Sequence, residues 1–191
     1  MTNLTIIGTG NMGKAIADVA TRGGHSVQSL DTSTPDEEVT GDIVVLAVYY
    51  PALAEILEAR GASLAGKVVV DVTNPVDTAT FDGLLVPADS SAAAELAERL
   101  PKSKVLKAFN TTFAATVESG RVGDSTTTVL IAGDDADAKA ALAEVVTSGG
   151  LNAIDAGSLK RARELEAMGF LAITLGAAEK LPWTGGLGVH A

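Results

Sequence analysis

Apolar residues recur along this chain in two rhythms. Short, nearly unbroken runs rich in Val, Ile and Leu fall at 2–8, 25–31, 42–48, 67–72, 104–109, 126–132 and 151–156. Between them, at 11–22, 51–60, 90–100, 134–148 and 158–180, an apolar position returns every three or four residues. The runs are predicted strands and the longer stretches predicted helices. In the first helix Met12, Ala15, Ile16, Val19 and Ala20 make one stripe, and Gly23-Gly24 closes it. Pro101 stops the third helix, and Asp134 and Ser158 are the expected N-caps of the last two. Alternating strands and helices imply an α/β fold with a doubly wound, mainly parallel Rossmann-type sheet. The inner strands are continuous apolar runs because both faces are covered. The connection 32–41 has Pro35 and three acids in ten residues, too few for a helix and another strand. The second-to-third strand connection is therefore shortened by one unit. Residues 1–156 form the expected dinucleotide-binding domain. Residues 157–191 form a C-terminal helix and tail that pack on the same domain and offer a dimer interface, with Gly169 and Gly176 letting helices approach closely. The run 167–178 is apolar all round but short of the roughly 20 residues that span a bilayer, so a buried helix is expected.

Residues 7–13, IGTGNMG, hold Gly8, Gly10 and Gly13 in the pattern G-x-G-x-x-G. The pattern alone is weak. Here it follows a predicted strand and opens an amphipathic helix, which is the context of a dinucleotide site. Gly8 makes the turn, Gly10 admits a pyrophosphate to the backbone, and Gly13 lets helix and strand pack closely. Thr9, Asn11 and Met12 complete the loop, and the phosphates are expected at the helix N-terminus. A tight turn without ligand is the alternative. Asp31 ends the second strand, where an acid binds both ribose hydroxyls and favours NAD. Thr32 and Ser33 offer hydroxyls to a 2′-phosphate, but no Lys or Arg lies between 23 and 59.

The other strand ends are ligand candidates, since open parallel sheets bind outside their carboxyl ends. Ala47 and Val48 are expected beside ribose and nicotinamide, and Tyr49 next to them. Thr73 and Asn74 point to the carboxamide or a second ring, while Asn74-Pro75 also reads as a turn. Asn110, Thr111 and Thr112 end the fifth strand as neutral polar groups. They suit a carboxamide or ring carbonyl beside a migrating hydride, or the cap of a short helix at 112–118. Trp183, the single tryptophan, packs either on the second substrate or on the C-terminus.

Composition narrows the chemistry. Net charge is −10, from 24 acidic and 14 basic residues, which disfavours nucleic acid and anionic lipid as partners. Cysteine is absent and there are two histidines, His25 and His190, far apart. No metal site is expected, and any redox chemistry must use borrowed organic cofactors. His25 lies at the opposite edge of the sheet from the loop and is read as structural. Lys160, Arg161 and Arg163 are read as a solvated first turn. No signal peptide is evident at the N-terminus, so a cytoplasmic location is the expectation.

GTGNMGKAIA at 8–17 resembles pyrroline-5-carboxylate reductases, whose long helical dimerisation domain finds no room in the 41 residues after 150. A wider resemblance is to the coenzyme F420-dependent NADP oxidoreductase family and to the NADPH domain of STEAP metalloreductases. It runs through VVVDVTNPVD (68–77), PADSSAAAELAERLP (87–101), VLKAFNTTFAA (105–115), VLIAGDD (129–135) and DAGSLKRARELEAM (155–168). It implies hydride exchange between NADPH and a flavin-like acceptor, coenzyme F420 or FMN/FAD, in a homodimer, with Asn110 and Thr111 presented to the second substrate. Two positions depart. The family's Gly-Ser-Arg at the second strand end is here Asp31, Thr32 and Ser33, so NAD stays a live alternative to NADP. The F420 enzymes place a histidine where this chain has Asn110. The reading is an NAD(P)H-dependent oxidoreductase. A nucleotide-binding redox sensor without turnover and an imine or small-carbonyl reductase with Tyr49 as proton donor are the alternatives.

Overall fold

The computed structural model describes residues 1–31, 33 and 37–189. In chain order the elements are β1 (Asn3–Ile7), α1 (Asn11–Arg22), β2 (Ser26–Leu30), β3 (Ile43–Leu46), α2 (Leu53–Arg60), β4 (Val68–Asp71), α3 (Ala92–Arg99), β5 (Lys104–Lys107), α4 (Ala114–Ser119), β6 (Arg121–Val122), β7 (Ser125–Thr126), β8 (Thr128–Gly133), α5 (Ala136–Ser148), β9 (Asn152–Gly157) and α6 (Ala162–Ala177). Among the described residues, β2-β1-β3-β4-β5-β8-β9 form one sheet. Its first five strands are parallel; β8 runs antiparallel to β5, and β9 pairs parallel with β8. β6 and β7 make a separate hairpin that the hydrophobic pattern does not signal.

Both faces of the central strands are covered, as their unbroken apolar runs require. Ile6, Val45, Val70 and Leu106 face one core with Ile16 and Val19 of α1 and Leu142 and Val145 of α5. Ile7, Val44, Val69 and Val105 face the other, with Leu53 and Ile56 of α2 and Ala93 and Leu96 of α3. Strand order confirms the shortened connection. The chain leaves β2 on one side of β1 and returns as β3 on the other, with no helix between them among the described residues. Polar bonds take the helix's place. Gln28 accepts from Thr5 Oγ1 and Thr40, and donates to the Glu38 carbonyl. Gly41 lies so close to β1 that a Cβ there would sit 2.3 Å from the Thr5 nitrogen.

Several local expectations are corrected. Helix α5 is capped by Asp135, which accepts from Ala138 N–H at 2.8 Å. Asp134 instead accepts the Leu159 N–H, at the start of a 3-10 turn spanning Leu159–Arg161. Ser158 precedes that turn, and α6 begins only at Ala162. The 167–178 run is not buried all round. Leu165, Glu166, Gly169, Ala172 and Gly176 face inward, whereas Leu171 is exposed. Gly169 and Gly176 serve the protomer itself: a Cβ on Gly169 would meet Asn74 Oδ1 at 2.3 Å, and one on Gly176 would meet the Trp183 ring at 3.0 Å. Among the described residues no helix is long and apolar enough to cross a membrane.

Candidate functional site

The register of the parallel strands sets the site. Ile7, Leu46, Asp71 and Lys107 lie in one row across β1, β3, β4 and β5. The residues beyond that row emerge together at the carboxyl edge. β1 has β2 on one side and β3 on the other, so the crevice where chain direction switches opens above the glycine loop.

Gly8 and Gly13 make the turn and the close helix packing expected of them. Gly8 has φ 120°, and a Cβ on it would lie 2.1 Å from the Ala47 carbonyl oxygen. A Cβ on Gly13 would lie 2.0 Å from the Gly8 carbonyl oxygen, so α1 packs directly on the turn. Gly10 differs: a Cβ there meets nothing within 4 Å. Open space thus stands over the α1 N-terminus, next to exposed Thr9 and Asn11. Ala47 and Val48 are half-buried at the crevice wall, and Tyr49 is exposed to 84%. Its neighbour Tyr50 shields the core and donates to Glu95 Oε2 at 2.7 Å. Burial and that bond push the Tyr50 phenol up to about 12, the wrong direction for a proton donor near neutrality. Asp31 accepts from both the N–H and the Oγ of Ser33 through one carboxylate oxygen, at 2.7 and 2.5 Å. Thr32 lies outside the described residues, as does His190.

Beside the loop, a cavity of about 390 Å³ is lined by Asn11 and Met12, by Asn74, Asn110 and Thr112, and by Phe113, Ile173 and Trp183. It joins the glycine loop to the ends of β4 and β5 and to α6. Trp183 anchors the C-terminal tail and also lines this cavity. It packs on Gly176 and stacks tilted on Phe113, ring centroids 4.9 Å apart, while half its surface faces out.

The Asn110 segment does not form the helix cap set out for it. Phe109 adopts φ 62°, a left-handed conformation that costs a bulky residue of order 1–3 kcal/mol. Thr112 closes the turn, donating from N–H and Oγ1 to the Phe109 carbonyl. Asn110 is thereby swung inward and is 4% exposed. Its amide NH2 donates to Asn74 Oδ1 at 3.0 Å and to the Leu165 carbonyl of α6 at 2.8 Å. Asn74 returns a bond to the Asn110 carbonyl at 2.8 Å. The cap of α4 is Phe113, not Asn110 or Thr111, and Thr111 is half-buried while Thr112 lines the cavity. Two buried acceptors, Asn110 Oδ1 and Thr73 Oγ1, have no hydrogen-bond partner among the described residues. Thr73 is 2% exposed and turned into the fold, so it offers its carbonyl inward rather than its hydroxyl to a ligand.

Directly under this segment lies a cluster that the hydrophobic pattern does not announce. Lys107 Nζ meets Asp71 Oδ2 at 2.8 Å, Glu166 Oε1 at 2.7 Å and the Thr73 carbonyl at 2.6 Å. All three side chains are buried. Glu166 also accepts the Ala92 and Ala93 N–H groups at the start of α3. Burial raises the Glu166 carboxyl above its ordinary value; Lys107 and the Ala92 N–H pull the other way. The signal was a lysine inside an apolar strand, in KVLKAF, and a glutamate on the apolar stripe of α6. His25 is structural: its Nδ1 accepts the Thr2 N–H, which leaves the Nε2 proton for Ser148 Oγ at 2.9 Å.

No protein-family model matches the sequence. The chain is similar to the F420-dependent NADP reductase of Methanothermobacter thermautotrophicus, with 30% identity over 84% of this chain and 70% of that protein. The F420-dependent NADP reductase of Methanocaldococcus jannaschii is 29% identical over 90% of this chain and 78% of its own. Metalloreductase STEAP3 of Rattus norvegicus is 31% identical over 85% of this chain, which spans only 35% of that relative. A crystal structure described as a candidate F420-dependent NADP reductase, from Arthrobacter sp. FB24, superposes with a TM-score of 0.82. It is 26% identical and matches 94% of this chain and 95% of its own.

Proposed function

The chain belongs to the F420-dependent NADP reductase family, and from that premise we propose that it moves hydride between NADP(H) and a deazaflavin of the coenzyme F420 type. It is an NAD(P)H-dependent oxidoreductase. The single observation that supports the finer reading is the cavity joining the glycine loop to the ends of β4 and β5. Its walls pair neutral amides with an aromatic edge, Phe113 and Trp183, and among the described residues its lining carries no ionisable side chain.

The residues present fit the nucleotide, since the space over Gly10 is open and backs onto the α1 N-terminus. Gly8, Thr9, Gly10, Asn11 and Met12 would hold its phosphates, and Ala47, Val48 and Tyr49 its ribose and nicotinamide side. Bound there, the nicotinamide supplies or receives the hydride. The protein's own part is orientation and exclusion of water. Such a transfer needs aligned rings more than an acid or base. Asn74 and Asn110 hold the cavity floor, and Trp183 closes its rim. NAD(H) is the second nucleotide of this reading, because Asp31 stands at the second strand end. FMN and FAD are the alternative acceptors. We also propose a homodimer in the cytoplasm, formed through the exposed flank of α6 around Leu171. A monomer mass in light scattering from active protein would remove that proposal.

Anaerobic stopped-flow mixing of NADPH with coenzyme F420, FMN or FAD tests the function. Rapid transfer to F420 and slow transfer to the flavins is expected. NADPH oxidation by none of them, despite tight nucleotide binding, would overturn the acceptor assignment.

A further inference from the structure

Lys107, Asp71 and Glu166 make a fully buried ionic cluster, yet none of them lines the cavity. Buried ion pairs rarely stabilise a fold more than apolar residues of similar volume would. Core stability is thus a poor explanation for three ionised groups under one strand edge. Their connections lead elsewhere. The Thr73 carbonyl that Lys107 holds immediately precedes Asn74. Glu166 immediately follows Leu165, whose carbonyl takes the Asn110 amide. Asp71 Oδ1 accepts the Thr73 N–H at 2.8 Å and fixes the same turn from its other end. Asn74 therefore directly follows a carbonyl that the cluster holds, and Asn110 bonds to the residue that precedes Glu166. Gly169, three residues beyond Glu166, leaves the gap in which that pair fits. All three protons of the Lys107 ammonium are used, one each on β4, the β4 turn and α6.

We propose that Asp71, Lys107 and Glu166 are positioning residues. They seat α6 on the sheet at the one placement in which Asn110 bridges Asn74 and Leu165, and so set the cavity floor against which the rings align. The inference rests on the proposed hydride transfer for its kinetic arm only. Lys107 acts through Asn74 and Asn110, while the nucleotide loop, on the far side of the cavity, is independent of it.

The test uses Glu166→Gln, which keeps shape and removes the charge, and the apolar triple variant D71L/K107M/E166L. Transfer from NADPH to coenzyme F420 at saturation should fall roughly tenfold or more in each, with nucleotide affinity within about twofold of wild type. The Asn110 side-chain amide resonances, shielded from solvent exchange in the wild type, should move and exchange faster. The triple variant should melt no lower than Glu166→Gln. A folded variant with wild-type transfer rate and unmoved Asn110 resonances overturns the proposal. Loss of the fold in both variants overturns it too, because the cluster then serves the fold as a whole. If wild-type protein does not reduce F420, the proposed acceptor fails, while the Asn110 resonances still decide the positioning role.

Discussion

Gly8 and Gly10 lack side chains for opposite reasons, and substitution separates them. A Cβ at Gly8 strikes the Ala47 carbonyl from a left-side φ, so Gly8→Ala should lower the melting temperature by several degrees. A side chain at Gly10 enters empty space at φ −72°, so Gly10→Val should keep the melting temperature and abolish nucleotide binding. Calorimetric titration of folded Gly10→Val with unchanged affinity would contradict this. Asn110 is the third informative position. Truncation to Ala leaves the Leu165 carbonyl and Asn74 Oδ1 without their donor, a loss of about 1–3 kcal/mol in urea unfolding. Hydride transfer should slow by one to two decades, about 1.4–2.7 kcal/mol, with nucleotide affinity nearly unchanged. A rate equal to wild type per folded molecule would reduce Asn110 to a fold contact.

Helix α3 shows how an element gathers its support from distant chain. Ser91 caps it, accepting from Ala94 N–H at 3.1 Å, and Glu166 of α6 accepts the two N–H groups before that one. Ser91→Ala should cost about 1 kcal/mol, read as a lower denaturant midpoint at constant slope. The helix itself was legible from its apolar spacing and from Pro101. So were α1, the mainly parallel sheet and the missing unit after β2, because strand runs and glycine placement are local signals. Glu166's role was not legible, since a glutamate reaching another helix's N-terminus depends on where α6 lands. The reversal of β8 was hidden for a related reason: an apolar run reads the same in either direction. The inward turn of Asn110 depends on Phe109 taking φ 62°, which no sequence pattern near a bulky residue predicts. Ends of elements shifted by small steps, as with Asp134 and Asp135, because adjacent acids offer equal caps until tertiary contacts choose.

Net charge and its local exceptions govern how the molecule meets acid and salt. Asp77, Asp135 and Asp155 are each held below the ordinary aspartate range: Asp77 by Thr80, Asp135 by the Ala138 N–H, Asp155 by Lys139. A lowered folded value gives stability that is full above the unfolded value and lost as pH falls through the folded one. The contribution of these three aspartates to the melting temperature should therefore be level above about pH 4 and drop below it, gently, because these carboxylates are exposed. Glu166 has the opposite sign and a higher window: its raised carboxyl favours the fold as pH falls from its folded value to the ordinary 4.5, and it adds nothing further below that. The charge of −10 also bears on ligand capture. A nucleotide is itself anionic, so the overall field repels it at low salt. That field is screened within about 8 Å at physiological ionic strength. The α1 N-terminus attracts phosphate only within its own first turn, so it holds the ligand without steering it from afar. The association rate of NADPH in stopped flow should therefore rise severalfold from low to physiological salt, while its dissociation rate changes little. An association rate that falls with added salt would mean that the local cradle, not the acidic surface, dominates the approach.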